Sequence, residues 1–159
     1  MKRVNEILNH PQYNVYLQKN MEAEKDRIFC RHNLQHFLDV ARVGYIIALE
    51  KNLKVSKEII YTAALLHDIG RWKQYADGTD HALVSAELSK AILRDCNYSD
   101  NETHLILTAI EKHRKGKKLV SDLDFLLYEG DKRSRPCVEC KTIEGCNRFE
   151  ENEKPEIQY

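Results

Sequence analysis

The sequence predicts an all-α protein. Apolar residues recur at intervals of three and four along most of the chain, and no stretch alternates as a half-buried strand would. Helix breakers are also scarce, with three prolines and six glycines in 159 residues. Hydrophobic residues make up 42% and charged residues 31%, a balance suited to a single globular domain with a proper core.

The first thirty residues read as helical, with Pro11 blocking one continuous helix. From Leu34 the residues Phe37, Leu38, Ala41, Tyr45, Ala48 and Leu49 form one stripe. A second stripe on the same helix comprises His32, His36, Val40, Val43 and Ile47. A helix apolar on two sides belongs in the centre of a fold. Ser56 is placed to cap a helix running through Ile59, Ile60, Ala63, Ala64 and His67, with Gly70 as its stop. Asp77-Gly78 signals a loop, and Asp80 is placed to cap a helix from His81 through Ser85, Leu88 and Ile92. Ser99 and Glu102 have capping-box spacing ahead of Ile106, Ala109, Ile110 and His113. Gly116 and the basic run Lys115, Lys117 and Lys118 should break that helix. A last helix from about Asp122 carries Leu127 and Asp131 on one face, and the polar tail after Phe149 should be irregular.

Several functions are disfavoured by composition. A formal net charge of zero gives no support to non-specific nucleic-acid binding. No apolar run approaches the roughly 20 residues of a membrane span, and the polar start MKRVNEILNH does not read as a signal peptide. The expected compartment is therefore the cytoplasm, where five cysteines should be thiols or ligands rather than disulfides. Cys137, Cys140 and Cys146 have ligand-like spacing, but a structural zinc site needs four donors. With Cys30 and Cys96 far off in sequence and read as ordinary buried thiols, the three suggest a small reduced structural knot, the alternative being a metal or cluster with a borrowed fourth ligand. His10 and His104 stand in no pattern and read as surface residues.

The informative feature is the apolar segment AALLHDIGRWKQY, which runs into the adjacent pair His67-Asp68. A core helix has no need of an imidazole and a carboxylate at its buried end. One buried histidine is usually a satisfied core residue, but His36, His67, Asp68, His81, His113 and Asp131 all sit where an apolar stripe continues. Helices can deliver ligands to one point from distant sequence positions. Imidazoles mixed with carboxylates suit divalent transition metals such as Mn, Fe, Co, Ni or Zn, whereas an all-carboxylate set would suit Mg or Ca.

His36-Phe-Leu-Asp-Val-Ala, Ala-Leu-Leu-His67-Asp68-Ile-Gly and Tyr128-Glu-Gly-Asp131-Lys closely resemble the HD-domain superfamily of metal-dependent phosphohydrolases. The resemblance spans residues 28–135, between an N-terminal helical segment (1–27) and a cysteine-containing tail (136–159). It implies a compact helical bundle in which His36, His67, Asp68 and Asp131 hold one metal. Asp68 would bridge to a second metal held by His81 and His113, as in two-metal members. Arg71 stands where the family often has Lys, and the Gly-Tyr-Pro signature of its cyclic-di-GMP branch is absent. The implied activity is hydrolysis of a phosphate ester or anhydride, most simply of a nucleotide, by an enzyme acting on ester bonds. Metal-bound water would supply the nucleophile, and the cations would neutralise phosphoryl charge.

Arg71, Lys112, Arg114 and Lys115 lie close in sequence to these ligands and could clamp phosphate oxygens, with Arg133 and Arg135 near the mouth of the site. His32, one turn before His36, would either contact substrate or orient a ligand. Asp68, Arg71 and His32 are thus the candidate catalytic residues. Two alternatives share parts of this reading: a di-iron oxygenase on the same fold, and a non-catalytic nucleotide-binding module. The expected partner is a small phosphorylated compound, and the oligomeric state is left open.

Overall fold

The computed structural model describes the chain apart from residues 117, 147, 151 and 152. Lys117 of the basic run therefore lies outside the described residues. Among those described there are eight α-helices, two single-turn 3-10 helices and no strand.

Pro11 begins a helix, as a residue without an amide donor can at a first helical position. Helix α1 (Lys2–Leu8) stops before it, and His10 caps α2 (Pro11–Ala23) by accepting the Gln12 amide at its ring nitrogen. His10 is thus a capping residue, also 3.4 Å from Asp95, rather than a free surface group. His104 is exposed.

Helix α3 (Leu34–Glu50) begins after Asn33, whose side chain accepts the His36 amide. The proposed histidine stripe is therefore interrupted, because His32 lies before the cap and not on the helix. Leu49 of the first stripe is exposed. Ser56, Asp80, Ser99 and Ser121 cap α4 (Lys57–Leu66), α6 (His81–Asp95), α7 (Asp100–Lys112) and α8 (Asp122–Arg133). Two of these are reciprocal capping boxes, Ser99 with Glu102 and Ser121 with Asp124.

Two boundaries differ from expectation. Helix α4 ends at Leu66 and α7 at Lys112, so His67 and His113 sit at helix C-caps rather than within helices. Gly70 does not simply stop a helix but precedes another, α5 (Arg71–Asp77), which periodicity had not revealed in so short a segment.

Helix α3 occupies the centre, packed against α4 and α8, while α6 packs on α7 and α7 on α8. The α3–α8 contact is close because Gly130 has no side chain: a Cβ there would stand 2.7 Å from the Val40 carbonyl oxygen. One apolar core joins Val4, Ile7 and Tyr13 of the first two helices to Phe37, Leu65, Ile69, Ile106 and Leu126. None of the described helices is long and apolar enough to cross a membrane.

Candidate metal centre

The turn His67–Gly70 between α4 and α5 is held from two sides. From α2, the buried Asn20 donates its Nδ2 to the Asp68 carbonyl and accepts the Trp72 amide at Oδ1, both at 2.8 Å. From α6, the buried Ser85 hydroxyl accepts the Gly70 amide at 2.9 Å. Only a glycine fits there, because a Cβ would meet Val84 Cγ1 at 2.7 Å and the Ser85 nitrogen at 2.8 Å. These bonds satisfy polar groups that would otherwise be orphaned in the core, and they fix the direction of Asp68.

Six side chains from five parts of the chain, Asp68 among them, meet there. Asp68 Oδ1 lies 3.1 Å from His81 Nε2 and 3.5 Å from His113 Nε2. Asp68 Oδ2 lies 3.4 Å from His67 Nε2, and Asp131 Oδ1 lies 3.3 Å from His36 Nε2 and 3.9 Å from His67 Nε2. The donor atoms of His36, His67 and Asp68 fall within 4.8 Å of one another, as do those of Asp68, His81 and His113. Asp68 belongs to both groups.

The rings are aimed. His67 Nδ1–H donates to the Ala64 carbonyl at 2.7 Å and His113 Nδ1–H to the Ile110 carbonyl at 2.6 Å. Each bond closes at a helix C-terminus, where carbonyls lack helical partners, and each leaves an Nε2 lone pair facing the cluster. His81 is held likewise through Nδ1 by Gln74. All six side chains are buried. His67 Nε2 and Asp68 Oδ1 nevertheless have no hydrogen-bond partner. An unpartnered acceptor at full burial costs roughly 1–3 kcal/mol, so the donor set fits a bound divalent cation better than an ordinary core.

Electrostatics agree with that fit. Burial, with help from Arg135 and His67, holds His36 at about 4, and burial with Arg71 and His113 holds His81 at about 3. Both imidazoles are therefore neutral ligands at neutral pH. Burial alone would raise Asp68 and Asp131, but the imidazoles around them and, for Asp131, Arg135 and Lys132 keep both well below the usual carboxylate range.

Sequence reasoning missed the partner of His32. The buried Glu24, at the end of α2, accepts from the His32 amide, from His32 Nδ1–H and from the Tyr75 hydroxyl. Those bonds pull the Glu24 carboxyl below its usual value against the burial that would raise it. His32 Nε2 then faces Asp68 at 3.6 Å. Nothing in the sequence pairs position 24 with position 32, since the loop between them has no periodic signal.

A cleft of 610 Å³ opens over this cluster, with His32, Arg71 and Arg135 reaching inward. Arg71 Nη1 lies 3.0 Å from both ring nitrogens of His81, while Arg135 Nη2 reaches Asp131 at 2.9 Å and His36 at 3.1 Å. Arg27, Arg114, Lys132 and Arg148 also line it, and the lining includes no carboxylate among the described residues. Three cations expected here turn elsewhere. Lys112 pairs with the buried Asp124 at 3.0 Å, tying the end of α7 to the start of α8. Arg133 pairs with Glu129 and lies over the Tyr159 ring, and Lys115 is exposed outside the cleft. Of the two arginines expected near the mouth, Arg135, four residues from Asp131, lines the cleft and Arg133 does not.

The HD domain family matches residues 33–146. An uncharacterized protein of Clostridium beijerinckii is 47% identical over 159 residues, the full length of both chains. Ribonuclease Y of Mycoplasma mycoides subsp. mycoides is 31% identical over 113 residues, 70% of this chain but only 20% of that protein. A crystal structure of a protein described as a predicted HD superfamily hydrolase, from an uncultured Thermotogales bacterium, aligns with a TM-score of 0.58 at 28% identity. It covers 75% of this chain and 66% of its own.

Proposed function

Since the chain belongs to the HD-domain family, we propose that it is a metal-dependent phosphohydrolase cleaving a phosphate ester or anhydride of a nucleotide. One observation carries the reading: two donor triads sharing Asp68 lie beneath a cleft whose charged lining, among the described residues, is cationic. A phosphate is the small ligand that such a lining and such donors would both attract.

His36, His67, Asp68 and Asp131 would hold one divalent cation and Asp68, His81 and His113 a second. Bound there, the cations supply an activated water and neutralise charge on the phosphoryl oxygens. The protein's own groups do the rest. Arg71 and Arg135, which flank the two triads, bind non-bridging oxygens and hold phosphorus over Asp68. Arg114, already paired with Asp80 at 3.0 Å, is placed for a more distal phosphate. His32, with Nδ1–H held by Glu24, keeps Nε2 turned to the Asp68 side of the cleft, where it exchanges a proton with the attacking water or the leaving oxygen. Phe29 and Phe149 give the same cleft apolar faces on which a base could stack.

The test is a panel of nucleotides, dinucleoside polyphosphates and simple phosphate esters, offered to protein loaded in turn with Mn, Fe, Co, Ni and Zn. A short oligoribonucleotide belongs in the panel because of the likeness to Ribonuclease Y. Release of phosphate or nucleotide, lost in His67→Ala and Asp68→Ala, is expected. Metal-loaded protein that cleaves nothing in the panel would refute the reading, and oxygen uptake by the iron form would favour the oxygenase instead.

A further inference from the structure

The four thiols Cys30, Cys137, Cys140 and Cys146 have no part in the hydrolytic reading, yet all four line the same cleft. The sequence separates Cys30 from the others by almost the whole domain. It is also exposed rather than an ordinary buried thiol, unlike Cys96. The fold supplies the fourth donor that the tail lacks.

After α8 the chain makes two short 3-10 turns, Cys137–Glu139 and Ile143–Gly145, and each delivers a cysteine in the same extended conformation. Cys140 has φ −72° and ψ 121°, and Cys146 has φ −87° and ψ 123°. The Cys140 amide donates to the Cys137 carbonyl at 3.1 Å, and the Cys146 amide to the Ile143 carbonyl at 2.9 Å. The second turn is docked on the segment that bears Cys30. Thr142 Oγ1 donates to the Ile28 carbonyl at 3.4 Å, and a Cβ on Gly145 would stand 3.6 Å from the Phe29 ring.

We propose that Cys30, Cys137, Cys140 and Cys146 form a second, separate metal site, a tetrathiolate that holds zinc and clasps the segment after α8 over the cleft. Two cysteines at C-x-x-C spacing joined by two more complete the four soft donors that a closed zinc site requires. Arg148 Nη1 lies 3.7 Å from the Cys137 sulfur. Arg148 beside Cys137, and Arg135 nearby, would offset the negative charge left on a zinc tetrathiolate.

Only the two His/Asp triads, among the described residues, have donor atoms already within 4.8 Å of one another. Zinc must therefore draw the sulfurs inward. The two turns bury no side chain of their own, so they can tighten without disturbing the core.

The site is independent of the hydrolytic reading, and its test removes the other metals first. Full-length His67→Ala/Asp68→Ala protein, prepared reduced, would be loaded with zinc and analysed for bound metal and for thiols reactive in the native state. One zinc per chain and protection of four thiols, reversed by a chelator, are expected. Cobalt in place of zinc should give intense sulfur-to-metal charge-transfer and tetrahedral bands. Cys30→Ser, at an exposed position outside any helix, should abolish these bands, and Cys96→Ser should keep them. Absence of bound zinc, thiols equally reactive with and without it, disulfides that form regardless of metal, or an iron–sulfur chromophore would each overturn the proposal.

Discussion

The His/Asp cradle and the cysteine-bearing wall meet at one cleft but are held in different ways. The cradle's ligands stand on the ends of packed helices, and three of its imidazoles are oriented through backbone carbonyls and Gln74. Its donor atoms are in place before any ion arrives. The wall consists of two single turns with exposed or half-buried residues, tied down by contacts such as those of Thr142 and Gly145. Core packing at roughly 25 cal/mol per Å² can hold a charged cluster in position, whereas two exposed turns need another source of order. Preorganisation in the first region and ion-driven closure in the second follow from that difference.

The sharpest way to break the comparison is at Asp68, which both triads share. Asp68→Asn keeps the shape but removes the charge, and should lower turnover by about 10³-fold or more, since the metals contribute several kcal/mol at tenfold per 1.36 kcal/mol. Bound metal in the cradle should fall with it, while the thiolate site keeps its zinc. A variant with full turnover would show that the cradle is not the centre of the chemistry.

A smaller loss is expected one step away. Glu24→Gln leaves His32 without a charged partner and should cost on the order of 10–100-fold in kcat, the usual effect of removing a group that orients a site residue. The pH–rate profile should shift as well, which a purely structural role for Glu24 would not produce.

Gly130→Ala tests how far the cradle depends on packing. The added methyl would press on the Val40 carbonyl at 2.7 Å and separate the helices carrying His36 and Asp131. Overpacking of this kind costs about 1–3 kcal/mol, seen as a lower Tm together with weaker metal binding. A normal Tm and normal affinity would mean that the ligands are not held by helix contact.

The smallest effect belongs to a control region remote from both sites. Arg3 bridges Glu58 and Glu102, and chiefly the Arg3 hydrogen bond holds Glu102 at about 2. A depressed carboxylate contributes stability above its unfolded value of 4.5, and that contribution is lost as pH falls toward 2. Arg3→Ala should therefore flatten the Tm–pH curve between 4.5 and 2 and lower Tm slightly at neutral pH, without changing metal content. This pair is partly exposed to solvent, so its contribution is under about 1 kcal/mol.

Much of the fold is legible in local chemistry. Ser56, Asp80 and the Ser99/Glu102 box cap the helices that their side chains predict, because a cap is decided within four residues. The six candidate ligands do converge, since each continues an apolar stripe that had to face the core. The same logic separates the two arginines expected at the mouth. On a helical period the residue four beyond Asp131 shares its face, while Arg133, two beyond, points away.

The sequence by itself determined that helices would form, where most of them start, and which imidazoles and carboxylates would end up inside. Those outcomes depend on hydrogen bonds and periodicity over a few residues. Only the tertiary structure decided that Glu24 would grip His32, that Asn20 and Ser85 would aim Asp68, and that Cys30 would stand with three cysteines from the far end of the chain. These contacts cross irregular loops, where no repeat links partner to partner, and they exist only because the packed core brings distant segments to one cleft.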